Sequence, residues 1–422
     1  MFNILRQRNF GLLWFAQLIS TIGDWVLFVA LPFYTYGLTG STLATGAMFM
    51  ASTLPRLLLG SVAGVFVDRW DRKKTMIVSD VLRGALLLLL LLVHTREQLW
   101  LIYLTAFVMA VVGQFFAPAK SAIIPRLVSQ KDLLSANSLN ALSDALTRLV
   151  GAGLGGALMS ALGFGSVVWL DAASFLFSAL MLALIAVPAA PTAATPKAGP
   201  QSPARQWAAV WREWWAGLQL VKQQKVLFAL FVVLGVALLG DSMITVLIVP
   251  LVKSLLGGGA LQLGWLMTAQ GIGGILGGVA AGQLGKLVAP RRLVSLGLMA
   301  TALTILALVN LPFLPVALAL MALIGVVSMS WMVSSQTMLQ MNVGDQYRGR
   351  IFGTFGAISA LMSLIGMGLA GMLGDLVGVI LIASLGGALY LTAGLLAWGM
   401  LREAESAPAP VARTVQVPGK AA

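Results

Sequence analysis

The 422-residue chain has no cysteine and a single histidine, His94. The lack of cysteine excludes disulfides, thiol nucleophiles and thiolate metal sites, and one histidine in a short polar break cannot build a His/Cys/Glu metal cluster. Charge is also scarce. Asp, Glu, Lys and Arg make up 10% of the residues, against about 25% in an average soluble domain. So few charges cannot cover a water-facing surface, so lipid must be the solvent for most of the exterior. Only 14 residues are acidic. No nucleophile–base set, phosphate-binding loop or metal cluster is visible, which argues against an enzyme and implies no cofactor.

Apolar residues fill the space, at 59% of the chain with a mean hydropathy of +0.94. They fall into twelve spans, at about 10–36, 42–67, 74–93, 99–123, 137–161, 164–187, 226–254, 261–285, 291–311, 313–341, 350–374 and 378–401. About 20 apolar residues suffice to cross the hydrocarbon. The net charge of +13 would suggest nucleic acid, but its placement does not. The N-terminus, the even-numbered loops and the C-terminal tail hold 22 of the 27 Lys and Arg. The odd loops hold only Arg96 and Lys253, while Arg56, Arg83 and Arg148 lie inside spans. Excess Lys and Arg mark cytoplasmic loops, so both termini are expected in the cytoplasm. The first apolar run follows Arg6 and Arg8, is too long for a signal-peptide core, and is expected to stay as span 1. A multi-pass protein of a prokaryotic cytoplasmic membrane is expected.

The spans repeat. Gly23-Asp24 returns as Gly240-Asp241, Gly60/Gly64 as Gly278/Gly282, Lys73-Lys74 as Arg291-Arg292, and Gly156 as Gly371, at offsets of 215 to 218 residues. Two like halves with the same orientation are the parallel-repeat plan of a secondary transporter. The fold class expected is an all-α membrane protein, with twelve transmembrane helices as two parallel six-helix repeats. The halves are placed at 1–187 and 226–403. Between them, 188–225 is a Pro/Ala-rich linker followed by an amphipathic helix, with Trp207, Trp211, Trp214, Leu218 and Val221 on one face, expected to lie on the cytoplasmic interface. The tail, 404–422, is expected to be disordered. In span 8, Gly274, Gly278 and Gly282 are expected to form a smooth face for close helix contact.

The first cytoplasmic loop reads Gly64-Val-Phe-Val-Asp68-Arg69-Trp70-Asp71-Arg72-Lys73-Lys74. A basic loop obeys the positive-inside rule, but that does not explain Gly64 four residues before Asp68, or two acids among the bases. Here the chain resembles the major facilitator superfamily, whose loop signature is G-x-x-x-D-R-x-G-R-R/K, with Asp71 standing where Gly is usual. The DRxDRR form looks like the drug:proton antiporter branch that includes macrolide and enterobactin exporters. The segment from Ile124 to Leu139, Arg348-Gly349-Arg350, and Arg148 to Gly156 resemble further signatures of that branch, with Ala152 in place of a Pro. The resemblance implies the major facilitator fold and alternating access. It also implies a gate in which Asp68 holds span 11 near Arg348 and Arg350 in the outward-open state. Span 4 lacks the Arg of many such antiporters, since Val108 to Gln114 carries no base.

An ionised side chain at mid-bilayer costs at least about 2.5–3.5 kcal/mol, so each needs a reason. Asp24 and Asp241 sit at the centres of spans 1 and 7, and Arg56 sits at the centre of span 2. Asp144 and Arg148 lie four apart on one face of span 5, the favourable order for a pair. Ion-pairing between helices is one reading of all these charges. By the resemblance, spans 1, 4, 7 and 10 line the cavity, and Asp24 is the favoured proton site, near Arg56 or Arg148. Asp241 stands second, and Asp144 with Arg148 form a gate pair or relay. Asp80 and Arg83 are expected to be structural, within reach of the loop motif. Trp25, Phe28, Gln114 and Phe115 are candidate cavity residues of the first half; Gln270, Met329, Trp331, Gln336 and Met362 are those of the second. Adaptable apolar walls with few hydrogen-bonding groups suit a lipophilic substrate.

The expected function is proton-driven export of a lipophilic small molecule by a monomer, with protons and membrane lipids as its other partners. An uncoupled or importing facilitator and a lysophospholipid flippase stay open. So does a non-transporting receptor or scaffold, although paired midplane acids would bring a scaffold nothing.

Overall fold

The computed structural model describes residues 2–60, 63–187 and 203–406. Its helices are α1 (Arg8–Thr39), α2 (Thr42–Leu59), α3 (Ala63–Val67), α4 (Arg72–Leu87), α5 (Leu99–Leu127), α6 (Leu133–Ala183), α7 (Pro203–Gln223), α8 (Lys225–Leu256), α9 (Ala260–Leu287), α10 (Pro290–Asn310), α11 (Leu314–Met341), α12 (Arg348–Val377) and α13 (Val379–Ser406). Among the described residues, eleven helices are long and apolar enough to span a membrane. The twelfth span is contained in α6, which breaks at Gly163 with φ 80° and ψ 177°. Gly151 lies against Ile22 and Trp25 of α1, and Asp171 lies against Gly23, so the two limbs of α6 run back along the same helix. Spans 5 and 6 are therefore a hairpin joined at one glycine.

The repeat is visible in the backbone. The residues with positive φ among those described are Gly40, Gly163, Gly257 and Gly378. Gly40 and Gly257 are the left-handed C-caps of α1 and α8, one repeat apart. Gly163 and Gly378 are the matching breaks between spans 5 and 6 and between spans 11 and 12. Packing repeats as well. In the first half α1 packs on α6, α2 on α5, and α4 on both α5 and α6. In the second half α8 packs on α12 and α13, α9 on α11, and α10 on both α11 and α13.

The halves meet along two seams, α2 with α12 and α6 with α9, and these are one contact seen twice. A Cβ added at Gly46 would lie 3.1 Å from the Cα of Gly371; one added at Gly156 would lie 2.8 Å from the Cα of Gly264. Gly46 matches Gly264 and Gly156 matches Gly371 in the repeat. Both seams lie at the end of the bundle away from the start of α1, here the far end. The start of α1, α3 and the α5–α6 turn lie at the other end, the near end. Apolar clusters follow the same division. One joins Val26, Phe49 and Phe175 to Val246, Met367 and Ala370 across the halves. Another, built on Phe10, Met76, Ile123 and Leu182, draws on the first half alone.

Two expectations change. The close-contact face of α9 is Gly273 and Gly277, not Gly274, Gly278 and Gly282. Gly273 abuts the carbonyl of Ala322 and Gly277 that of Val326 on α11, whereas a Cβ at Gly274 or Gly282 would meet open space. Both sets repeat every four residues, and a one-residue step turns the face by about 100° on a helix of 3.6 residues per turn. Second, α7 docks on protein and does not simply lie on the interface. Val221 is buried in the second-half core, and Gly217 abuts Thr354 of α12. Trp214 is half-buried while the neighbouring Trp215 is exposed. The side chains of Trp207 and Trp211, residues 188–202 and the tail beyond Ser406 lie outside the described residues.

The seam geometry leads to a first prediction. Gly156→Val places branched carbon against the backbone of Ala260 and Gly264, at a cost of about 1–3 kcal/mol for overpacking. With spin labels on cysteines introduced at the exposed Leu162 and Leu376, this variant is expected to shift the distance distribution to longer values. The same distribution as in the labelled parent would show that the seam tolerates the added volume.

Candidate functional site

Three groups of polar residues stand out, beginning with a bond across the α2–α12 seam. Ser41 caps α2, its Oγ accepting from the amide of Ala44 at 3.3 Å. The carboxylate of Asp375, near the end of α12, reaches the same helix start. It accepts from the amides of Thr42 (2.7 Å) and Leu43 (3.2 Å) and from the hydroxyls of Ser41 (2.5 Å) and Thr42 (2.7 Å). An anion at a helix N-terminus satisfies amides that lack partners and meets the positive end of the helix dipole. A residue of one half thus caps a helix of the other. The matching seam lacks this bond, because Ser160 stands at the position equivalent to Asp375, and α9 is capped locally by Gln262, which accepts from the Gly259 amide at 2.8 Å.

The second group lies in the middle of the bundle. A cavity of about 280 Å³ is enclosed by α8, α9, α10, α11 and α13, with α1, α2 and the first limb of α6 completing its wall. Of the expected residues, Trp25, Phe28 and Gln270 line it, with Asp241 and Arg148. Asp241 accepts from Tyr390 Oη at 2.7 Å, and Arg148 stacks 5.3 Å from the ring centre of Trp25. Arg148 and Asp241 are within electrostatic reach of each other across the halves. Arg148 therefore faces Asp241, and among the described residues no ion pair joins it to Asp144 as its helical spacing suggested. Thr245, Thr301 and Ser328 add hydroxyls to the wall. Sequence reading passed over these three and Tyr390; the only signal for Tyr390 is a lone phenol in an apolar span.

The third group is a chain of charges in the first half, in which Asp80 and Asp171 are buried, Asp24, Arg83 and Lys120 half-buried and Asp144 exposed. Asp80 bonds Arg83 at 2.8 Å and accepts from Ser178 Oγ at 2.6 Å. The Arg83 guanidinium sits between the rings of Phe116 and Phe175, 4.5 and 4.6 Å from their centres. Asp24 interacts electrostatically with Arg83 and Asp171, neither of which is Arg56 or Arg148. Asp171 accepts from Ser174 Oγ through one carboxylate oxygen, while its Oδ2 is buried with no partner. Lys120 extends the chain, within reach of Asp80 and Asp144. Charge counting places it among the loop residues, but α5 continues to Leu127 and carries it inside the bundle. Four carboxylates thus share two bases, and Asp80 and Arg83 belong to this chain, not to the loop motif.

The remaining candidates are dispersed. Arg56, Gln114 and Arg350 line a second cavity of about 450 Å³ at the near end, between α2, α5 and α12, with Trp214 of α7 beside them. Phe115 stacks on Trp70, 5.5 Å between ring centres, away from both cavities. Trp331 is buried against Tyr390, Gln336 is exposed, Met362 lies toward Gly235, and Met329 lies near Gly278. In the loop motif, Asp71 caps α4 by accepting from the Lys74 amide at 2.8 Å, which gives a use to the acid that replaces glycine. Arg72 donates to the carbonyl of Ala122 at 3.2 Å. The Gly64 carbonyl accepts from the Asp68 amide; Asp68 and Arg69 are exposed, as is Arg348, and among the described residues no side-chain bond joins Asp68 to α12.

Two repeated six-helix halves, joined along Gly-lined seams around a central cavity, define a multi-pass membrane transporter of the major facilitator type, not an enzyme. Residues 1–417 match the transmembrane secretion effector family of that superfamily, and the chain belongs to it. Macrolide efflux protein A of Streptococcus pyogenes is 24% identical over 88% of this chain and 91% of its own. The multidrug efflux pump Tap of Mycolicibacterium fortuitum is 27% identical over 87% of this chain and 90% of its own. Among solved structures, the nucleoside transporter NupG superposes with a TM-score of 0.72, at 12% identity, over 93% of this chain and 99% of that one.

Asp375→Ala is expected to weaken the far-end contact by about 0.5–2 kcal/mol, the cost of losing a helix cap. The Leu162/Leu376 label pair would report it as a larger open fraction, with no change in thermal unfolding of the separate helices. An unchanged distribution would show that the cap across the halves adds nothing to closure.

Proposed function

We propose that this transporter exports a lipophilic small molecule across a prokaryotic cytoplasmic membrane in exchange for protons. The observation that carries this reading is the charge chain of the first half, in which Asp80 and Asp171 are fully buried. Its four carboxylates share two bases, and Asp171 keeps a carboxylate oxygen without a partner. In hydrocarbon an acid without a counter-charge is neutralised by a proton, and an acid whose surroundings differ between two conformations loads and releases that proton. Asp24 stands on α1, where the first half faces the second, and is the residue through which proton binding would reach the seam. With both termini in the cytoplasm, as the placement of Lys and Arg implies, the far end is the outer face and the arrangement is inward-facing. The substrate would reach the central cavity past Arg56 and Arg350. There, mixed aromatic and methionine walls would hold it, and Asp241, held by Tyr390, would select for cationic members. The efflux names of two relatives over most of their length support the direction of transport.

The test is efflux by cells expressing the chain, over a panel of macrolides, dyes and siderophores, with and without a protonophore. Protonophore-sensitive efflux is expected. Efflux that survives collapse of the gradient would replace antiport with facilitated export. Asp24→Asn should abolish gradient-driven efflux in a folded protein, whereas Asp241→Asn should lower the affinity for cationic compounds about tenfold, or about 1.4 kcal/mol. An unaltered pH dependence in Asp24→Asn would remove that residue from the coupling path.

A further inference from the structure

A pocket at the near end of the second half, away from the charge chain and the central cavity, has no part in the transport reading. It measures about 290 Å³ and lies between the start of α10 and the end of α13, lined by Arg291, Arg292, Ser295, Trp398 and Arg402. Three arginines thus line a space next to a helix N-terminus whose N-cap, Ala289, offers no side-chain bond. An independent observation points to a ligand. Ser295 is 1% exposed and its Oγ has no hydrogen-bond partner among the described residues, although the residue forms part of the pocket wall. A buried hydroxyl without a partner destabilises a protein unless something supplies the bond.

The surroundings specify the ligand further. Beside the pocket, α10 and α13 expose apolar side chains: Trp398 is 48% exposed, Leu296 50%, Leu395 57% and, further along α10, Leu303 61%. The basic pocket therefore opens onto a greasy strip that runs into the membrane. A free inorganic anion has no use for that strip; an amphiphile with a phosphate head uses both parts. The repeat supplies a control. In the first half, the equivalent Lys73 donates to the carbonyls of Ala183 and Ile185, both at 2.8 Å. The positions matching Trp398 and Arg402 are Ala183 and Val187. The feature thus belongs to the second half and is not a by-product of the duplicated loop.

We propose that this pocket binds the headgroup of one anionic phospholipid, its phosphate on Arg291, Arg292 and the Ser295 hydroxyl and its acyl chains along Leu296 and Leu395. A lipid seated there joins the ends of α10 and α13, and with them the base of the second half, to the charge of the inner leaflet.

The full-length protein, delipidated in detergent, is titrated with phosphatidylglycerol, phosphatidylcholine or inorganic phosphate and read by native mass spectrometry. One phosphatidylglycerol is expected to be retained about tenfold better than phosphatidylcholine. Arg291→Gln with Arg292→Gln should lose most of that preference, Ser295→Ala should lose part of it, and Lys73→Gln with Lys74→Gln should keep it. If the double arginine variant unfolds, the single Arg292→Gln, at an exposed position, carries the same expectation. Equal retention of the two lipids by the unaltered protein, or unchanged retention after loss of the arginines, would overturn the proposal. Displacement of the lipid by an equal concentration of inorganic phosphate would overturn it too, by showing that the acyl strip is not used.

Discussion

In hydrocarbon, two helices gain almost nothing by burying leucine against leucine, because lipid tails offer the same contact. They gain by coming close enough for backbone to touch backbone. The contact between the halves depends on that constraint. Gly46 against Gly371, and Gly156 against Gly264, bring α2 to α12 and α6 to α9 at distances that a single methyl group would prevent. Such contacts are all-or-nothing, as suits a surface that must form and part in each cycle. Within each half the helices also use larger apolar side chains, and the buried clusters there are correspondingly extensive.

The second constraint is charge. The bilayer cannot solvate ions, so each buried ionisable group has to find its partner within the protein. The two halves meet this differently. The first half gathers Asp24, Asp80, Asp171, Arg83 and Lys120 into one chain inside its own bundle, with the exposed Asp144 at its edge. The second places a single acid, Asp241, in the cavity wall under a tyrosine hydroxyl, with Arg148 reaching toward it from the first half. The duplication that produced Asp24 and Asp241 as equivalents has therefore been divided between two tasks. One acid belongs to a half-buried network and the other to a cavity wall, where Arg148 reaches it across the halves.

The fold was legible in the sequence to the extent that glycine and charge placement encode it. The repeat offsets point to Gly46, Gly156, Gly264 and Gly371 as equivalents, and the spans fall where the helices lie because hydrophobic length is fixed by the bilayer. What sequence could not show was direction around a helix. Gly273 and Gly277 share the spacing of Gly274 and Gly278, and only the neighbouring α11 distinguishes them. Partners across long separations were equally hidden. Nothing near Asp24 in the chain announces Arg83, 59 residues on. The i, i+4 spacing of Asp144 and Arg148 suggested a pair, but packing turned Arg148 toward Asp241 on another helix. Lys120 was missed because it sits in the last turn of span 99–123, where a base reads as a loop charge, although the helix runs on to Leu127.

The cap that Asp375 places on α2 has no equivalent on the other seam, and this makes the far side of the molecule lopsided. Among the described residues, one edge is held by directed polar bonds and the other by contact alone. Separation of the two halves would then begin at the α6–α9 edge and turn about the capped one, as a door turns on its hinge. The opening would form as a lateral cleft on one flank of the protein and face lipid before it faced water.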